Sequence, residues 1–195
     1  MKRKIKKSIV YFLLIAVIST FFLKSLITYY SKELPSINEI IEYDPKTISR
    51  FFDRNGELFG IFYDENREYV PIQRIPKLIQ YAFISAEDKN FYQHSGYDVS
   101  SLIKALIDFL KGGKLRGAST ITQQVTKGFL LSGERSFERK VQELILAIKL
   151  EKALSKDEIL EIYLNEVYLG EGTHGVSAAA SVYFSKSLDE LKPRE

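Results

Sequence analysis

The feature that most constrains this chain is an apolar run that follows directly on a block of cations. Ile9 to Leu23 is apolar apart from Ser19 and Thr20, and after Lys24 the run resumes through Leu26, Ile27, Tyr29 and Tyr30. Ser8 to Tyr30 makes a helix about 34 Å long, enough to cross a hydrocarbon layer of about 30 Å. Lys24 sits near the outer end, where its stem can snorkel. No small-x-small cleavage site follows, so the run reads as an uncleaved anchor and not as a signal peptide. Lys2, Arg3, Lys4, Lys6 and Lys7 precede it with no acid among them, which places the N-terminus in the cytoplasm and everything after Tyr30 outside.

The same block settles what the net charge of +3 means. Five of the 28 basic residues lie in residues 2 to 7, leaving 23 against 25 acidic residues in the rest. The body is slightly acidic and shows no basic, aromatic patch, so a nucleic-acid partner is not expected. The chain has 195 residues, 45% of them hydrophobic, which is enough for one domain with a real core. With Cys 0, disulfides, thiolate zinc sites and cysteine nucleophiles are excluded.

The expected organisation is a basic tail at 1–7, an anchor at 8–30, a polar linker at 31–46 holding Pro35 and Pro45, and a domain at 47–195. Two β-rich runs, 48–53 and 58–63, flank Asn55-Gly56, a hairpin signal because this pair tolerates the positive φ of a tight turn. After Pro71 the pattern is helical. Pro76 opens a helix to about Glu87, and Asp98 caps one in which Val99, Leu102, Ile103, Leu106 and Leu110 fall at helical spacing until Gly112 and Gly113 stop it. Further helices are expected at about 119–128, 136–154, 156–168 and 175–184. Ser155 with Glu158, and Ser187 with Glu190, spell capping boxes. The fold class is mainly α with a small β-hairpin.

Several patterns carry no chemistry. Gly170, Gly172 and Gly175 follow a helix and not a strand, so they form a turn and not a dinucleotide fingerprint. Ser101-x-x-Lys104 lacks the companion motifs of a penicillin-recognising site. His94 and His174 stand apart from other metal ligands, so no metal site is expected.

Three features do carry chemistry. Glu87 and Asp88 end a nearly continuous apolar helix, where the negative end of the dipole and partial desolvation raise a carboxylate's pKa and suit it to take a proton from a sugar hydroxyl. An ordinary solvated pair is the plainer alternative. Glu143 lies on a helix that is apolar on both sides between Leu144 and Leu150, where a charge is costly unless paired or used. A simple i,i+4 bridge to Arg139, with Lys140 in solvent, is the competing account. Between them, Ser119, Gln123 and Lys127 share one helical face with Thr120 and Gln124 beside them, a polar stripe suited to a sugar and a phosphate. With Lys127, Arg135, Arg139 and Lys140 nearby, these residues suggest glycosyl transfer from a diphosphate leaving group.

At this point the residues carry a resemblance. The chain resembles the peptidoglycan glycosyltransferase domain of class A penicillin-binding proteins and their monofunctional relatives in five ordered motifs across about residues 50 to 187. Glu-Asp-x-x-Phe-x-x-His-x-Gly stands at Glu87, Asp88, Phe91, His94 and Gly96. Gly-x-Ser-Thr-Ile-Thr-Gln-Gln, with its later Lys, stands at Gly117 to Gln124 and Lys127. Arg-Lys-x-x-Glu with Leu-Glu stands at Arg139, Lys140, Glu143, Leu150 and Glu151. Ile-Leu-x-x-Tyr-Leu-Asn with a later Gly stands at Ile159, Leu160, Tyr163, Leu164, Asn165 and Gly170. The last stands at Gly175, Val176, Ala178 to Ala180, Tyr183 and Phe184.

The resemblance implies a lysozyme-like helical domain, anchored in the bacterial cell (inner) membrane, that polymerises lipid II into glycan strands and releases undecaprenyl diphosphate. It gives Glu87 the part of general base. Glu143 becomes the second acid, which with Lys127, Arg135, Arg139 and Lys140 holds the donor diphosphate, directly or through a divalent cation such as Mg or Mn. Asp88, Ser119, Thr120, Gln123 and Gln124 fall among the substrate-binding positions. Lipid II, the growing strand, membrane lipids and cell-wall synthesis proteins are the partners it implies. Phe109, Leu110, Phe129 and Leu130, around the loop from Lys111 to Arg116, are expected to dip into the interface. Gly128 stands where the family has Asn, and Ser187 with Glu190 is expected to open another helix close to Glu195, so the domain looks shortened beside the family. A lytic enzyme of the same fold class and an inactive lipid II-binding protein are the alternatives.

Overall fold

The computed structural model describes residues 2–32, 34–42, 49–62, 66–112, 119–131 and 136–195. Its first element, α1 (Lys2–Ser31), takes in both the basic tail and the apolar run. Within it Leu13–Ser31 is long and apolar enough to cross a membrane, with mean hydropathy 1.7 and none of it buried in the protein. The expected linker is more than a spacer. It contains the short helix α2 (Asn38–Ile41), and Ile40 is fully buried in the main core.

The hairpin forms where Asn55-Gly56 places it. Strands β1 (Ser49–Phe52) and β2 (Leu58–Phe62) pair antiparallel, and Gly56 takes the positive φ of 82° that the turn requires. Asp53 stiffens this turn by accepting hydrogen bonds from the backbone N–H of Asn55 and Glu57, both at 2.8 Å. A second sheet is not visible in any sequence pattern. It joins β3 (Asn66–Arg67), β4 (Tyr168–Gly170) and β5 (Thr173–His174) in the order β3-β5-β4, with β3 and β5 parallel.

The helices that follow are α3 (Lys77–Glu87), α4 (Val99–Leu110), α5 (Ile121–Leu130), α6 (Phe137–Ala153), α7 (Lys156–Glu166) and α8 (Val176–Phe184). Each lies within about two residues of its expected place. Gly128 sits inside α5 with open space around it, so its lack of a side chain does not interrupt the helix. The capping box of Ser155 and Glu158 opens α7, and that of Ser187 and Glu190 opens a single 3-10 turn, Leu188–Glu190.

The core is built around α5 and α7. Ile121 and Val125 of α5 meet Ile159, Leu160 and Leu164 of α7, with Leu150 of α6 beside them. Each fully buried Leu or Ile in this cluster contributes about 1.5–3 kcal/mol of transfer free energy. The extended segment before α3 is clamped onto α7 by polar groups. Asn165 accepts from the Val70 N–H at 2.8 Å and donates to the Val70 carbonyl at 2.9 Å, and Glu161 accepts from the Ile72 N–H at 2.6 Å and from the Tyr69 hydroxyl. Burial and the bond to Glu161 push the Tyr69 hydroxyl up to about 12.

α4 is the exception to this packing. Val99, Leu102, Ile103, Ile107 and Leu110 are all exposed. Phe129 and Leu130, expected at the interface, instead pack against the core. The membrane-facing expectation therefore moves to α4, whose residue 109 side chain, with residues 113–116 of the loop, lies outside what the structure describes.

Candidate active site

Glu87 is the last residue of α3, and it is exposed. The partial desolvation expected from the sequence is absent because α3 ends at the rim of a cleft. Its Oε2 accepts a hydrogen bond from Gln124 Nε2 at 3.0 Å, which ties the end of α3 to α5. Tyr163 of α7 lies close enough to feel this charge: burial first, then the Glu87 carboxylate, pushes the Tyr163 hydroxyl well above its usual range.

Asp88 is the opposite of its neighbour. The chain leaves the helix here (φ −157°, ψ 71°), and its carboxylate turns into the protein. Oδ2 accepts the Ile121 N–H at 3.0 Å, capping the positive end of α5, and His94 Nε2 lies 2.9 and 3.0 Å from the two oxygens. This bonding sets the angle between α3 and α5. Behind it, Gly96 runs against α6 with φ +91°, and a Cβ there would stand 2.9 Å from the Ala147 carbonyl carbon. Only glycine fits both conditions.

The polar stripe separates into two groups. Thr120 is the N-cap of α5 and Gln123 completes its capping box; both are buried, and Thr120 Oγ1 also donates to the Gly96 carbonyl at 2.9 Å. Ser119 precedes the helix, so the face it was expected to share begins only at Ile121. Ser119 and Thr120 reach one cleft, and Gln124 and Lys127 another.

Glu143 is buried, 3% exposed, in the middle of α6. Both cations serve it: Lys140 Nζ donates to Oε2 at 2.7 Å, and Arg139 Nε lies 3.3 Å from Oε1. Lys140 is thus not held apart in solvent. It also donates to Ser119 Oγ at 2.7 Å, so one ammonium links the buried acid to the cleft wall. Arg135 and the motif residues Gly117 and Ala118 lie outside the described residues.

Two clefts border the hydrogen bond between Glu87 and Gln124. The first, about 320 Å³, is lined by Glu87, Asp88, Asp98, Lys104, Asp108 and Ser119. The second, about 470 Å³, is lined by Gln124, Lys127, Tyr163, Tyr168 and His174. Glu87 lines one and its hydrogen-bond partner Gln124 lines the other, so the carboxylate stands on the ridge between them. Asp98, read only as a cap, does more: its burial opposes ionisation, but hydrogen bonds from Ser100, Ser101 and Asn90 hold its carboxyl far below the usual range. Tyr163 and Lys104 also line these clefts, Lys104 having stood out in the sequence only in the dismissed Ser101-x-x-Lys104 pattern. Tyr163, eight residues after the α7 cap at Ser155, was legible only as a member of a motif.

A protein-held divalent cation does not fit at Glu143. Its oxygens are occupied by an ammonium and a guanidinium, and among the described residues no three of His, Cys, Asp and Glu gather as a ligand set. With these cations held in place, the corner can bind an anion directly.

Comparison with known proteins gives an independent result. The family model described as Transglycosylase matches residues 55–195. Penicillin-binding protein 1A of Rickettsia bellii is 44% identical over 170 residues, covering 85% of this chain and 22% of that protein. Penicillin-binding protein 1A of Neisseria flavescens is 45% identical over 167 residues, covering 85% of this chain and 21% of that protein. The chain therefore spans about a fifth of the length of these relatives.

Proposed function

Since this chain belongs to the transglycosylase family, we propose that it is a peptidoglycan glycosyltransferase that polymerises lipid II on the outer face of the bacterial cell membrane. The observation that carries the reading is the position of Glu87, exposed on a ridge between two clefts, the second of which holds Lys127. A glycosyl transfer needs an acceptor on one side of the base and an activated donor on the other.

In this reading Glu87 takes the proton of the acceptor's sugar hydroxyl as that oxygen attacks the donor's anomeric carbon. The bond from that carbon to the diphosphate oxygen breaks, the configuration inverts, and undecaprenyl diphosphate leaves with the electron pair. Lys127, Lys140, Arg139 and Arg135 are assigned to the leaving charge. Glu143 holds Lys140 and Arg139 in place and balances them when the site is empty. Gln124 orients Glu87. Asp88, Thr120 and Gln123 fix the backbone beside the substrate, Asp88 and Thr120 from the wall of the first cleft, and no step is routed through a metal.

The lipid tails of both substrates give α1 its purpose. With Leu13–Ser31 in the bilayer, the exposed apolar face of α4 is available to rest at the interface and bring the clefts to the headgroup level. Purified chain in detergent is expected to convert lipid II into polymer, and Glu87→Gln to abolish this while leaving the fold intact. Full activity in that variant would remove Glu87 from the mechanism. Release of soluble muropeptides from purified sacculi, with no polymer from lipid II, would replace synthesis by lysis.

A further inference from the structure

One surface beside the clefts is not used by this chemistry. Tyr81 on α3 and Tyr92 in the 3-10 turn Phe91–Gln93 are 59% and 49% exposed. Tyr92 is nevertheless locked. Its hydroxyl donates to Asp157 Oδ1 at 2.9 Å, and its ring meets the fully buried Phe91 edge to face, with centroids 5.1 Å apart. Burial, the bond to Asp157 and the nearby Tyr81 hydroxyl push Tyr92 up to about 12. The ring is therefore oriented in advance and stays neutral across the working pH range, and the Tyr81 hydroxyl lies close enough to act on its ionisation.

An exposed aromatic ring fixed at its edge and tip offers its face at little further entropic cost. The ligand class that uses such a face is a pyranose, whose axial C–H groups stack on the ring while its hydroxyls and N-acetyl N–H seek an acceptor. Asp157 supplies one: its Oδ1 is engaged by Tyr92, and its Oδ2 has no protein hydrogen bond among the described residues. The place of this surface selects the ligand further. Tyr81 and Ser85 are one turn apart on the same side of α3, and Ser85 lines the first cleft beside Glu87. The platform thus continues the site outward.

We propose that Tyr81, Tyr92 and Asp157 form a binding platform for the glycan strand, gripping sugars that have already been joined. This rests on the glycosyltransferase reading for the identity of the strand, but the platform itself requires only a β-linked amino sugar. Holding the product near Glu87 favours further addition over release, so the platform controls strand length and leaves the joining step alone.

The test uses the full chain in detergent micelles and a peptide-free tetrasaccharide of alternating N-acetylglucosamine and N-acetylmuramic acid, titrated calorimetrically. Tyr81→Ala and Tyr92→Leu are each expected to weaken binding about fivefold, and Tyr92→Phe, which keeps the ring, by less than about twofold. On lipid II, the Tyr81→Ala/Tyr92→Leu double variant is expected to keep the initial rate and make shorter strands. If Tyr92→Leu perturbs the circular dichroism spectrum, Tyr81→Ala carries the test alone. Unchanged affinity and strand length in folded variants would overturn the platform while leaving polymerisation standing. Loss of tetrasaccharide binding in the variants of a chain that makes no polymer would support the platform and reject the proposed reaction.

Discussion

Two carboxylates define two differently built regions of this protein. Glu87 ends a helix in the open, with one side-chain amide as its partner, and little of the fold depends on it. Glu143 lies inside a helix, almost fully enclosed, and balances two cations that would otherwise be left in a partly desolvated site. The first arrangement leaves a group free to exchange a proton with a ligand; the second fixes charge in place before any ligand arrives. A group adapted to moving a proton is thus weakly held, and a group adapted to constant charge is firmly held.

This contrast can be broken most directly at Glu87. Glu87→Gln is expected to lower polymerisation about a thousandfold with an unchanged thermal midpoint; a large loss of stability would show that the ridge is structural. Glu143→Gln should do both kinds of damage, because it leaves Arg139 and Lys140 without their counter-charge. Lys140 is half exposed, so the cost falls below that of a fully buried pair, at about 2 kcal/mol, which corresponds to a drop in midpoint of roughly 4 to 8 °C. A calorimetric scan that leaves the midpoint in place would erase the distinction between the two acids.

Asp98 sharpens the comparison because it shares the cleft of Glu87 but is bonded more like Glu143. Loss of the cap in Asp98→Ala is expected to cost about 1 kcal/mol near neutral pH. Since its pKa is lowered in the folded state, the stabilisation is complete above the unfolded value of about 3.9 and fades as the pH falls below it toward the folded value. The gap between parent and variant in urea melts should therefore narrow below about pH 4; a gap that widens there would contradict the bonding described. The smallest effect belongs to Gln124→Ala, which should reduce turnover about threefold by loosening Glu87, with no change in stability. A change in the urea midpoint for this variant would give Gln124 a packing role.

Much of this was legible before the structure. Leu102, Ile103 and Leu110 mark α4 by their spacing, Ser155 and Glu158 mark the start of α7, and Asn55-Gly56 marks the hairpin, because each signal is local to a turn or a helix face. The functional residues were legible as types, and the motifs placed Glu87 and Glu143 in one family pattern. What escaped was everything set by contact across the chain. Asn66 and Arg67 become a strand only because Thr173 and His174 arrive beside them. Asp88 and Glu87 are adjacent in sequence with similar chemistry, and only the dihedral turn at residue 88 sends one inward and one outward. Thr120 and Gln123 also cap α5, a role that a hydroxyl and an amide suited to a sugar do not announce. α4 read as a packed helix because its pattern records an apolar face without recording what covers it.

Ile40 gives the molecule a working radius. It is sealed in the core only nine residues beyond Ser31, the end of α1, and nine fully extended residues span about 30 Å. With α1 in a bilayer, the catalytic domain is on a short leash that keeps Ile40 within about 30 Å of the end of α1 however freely the domain tumbles. Its encounters with lipid-borne molecules then become a two-dimensional search, governed by their density in the membrane and not by their concentration in the surrounding water.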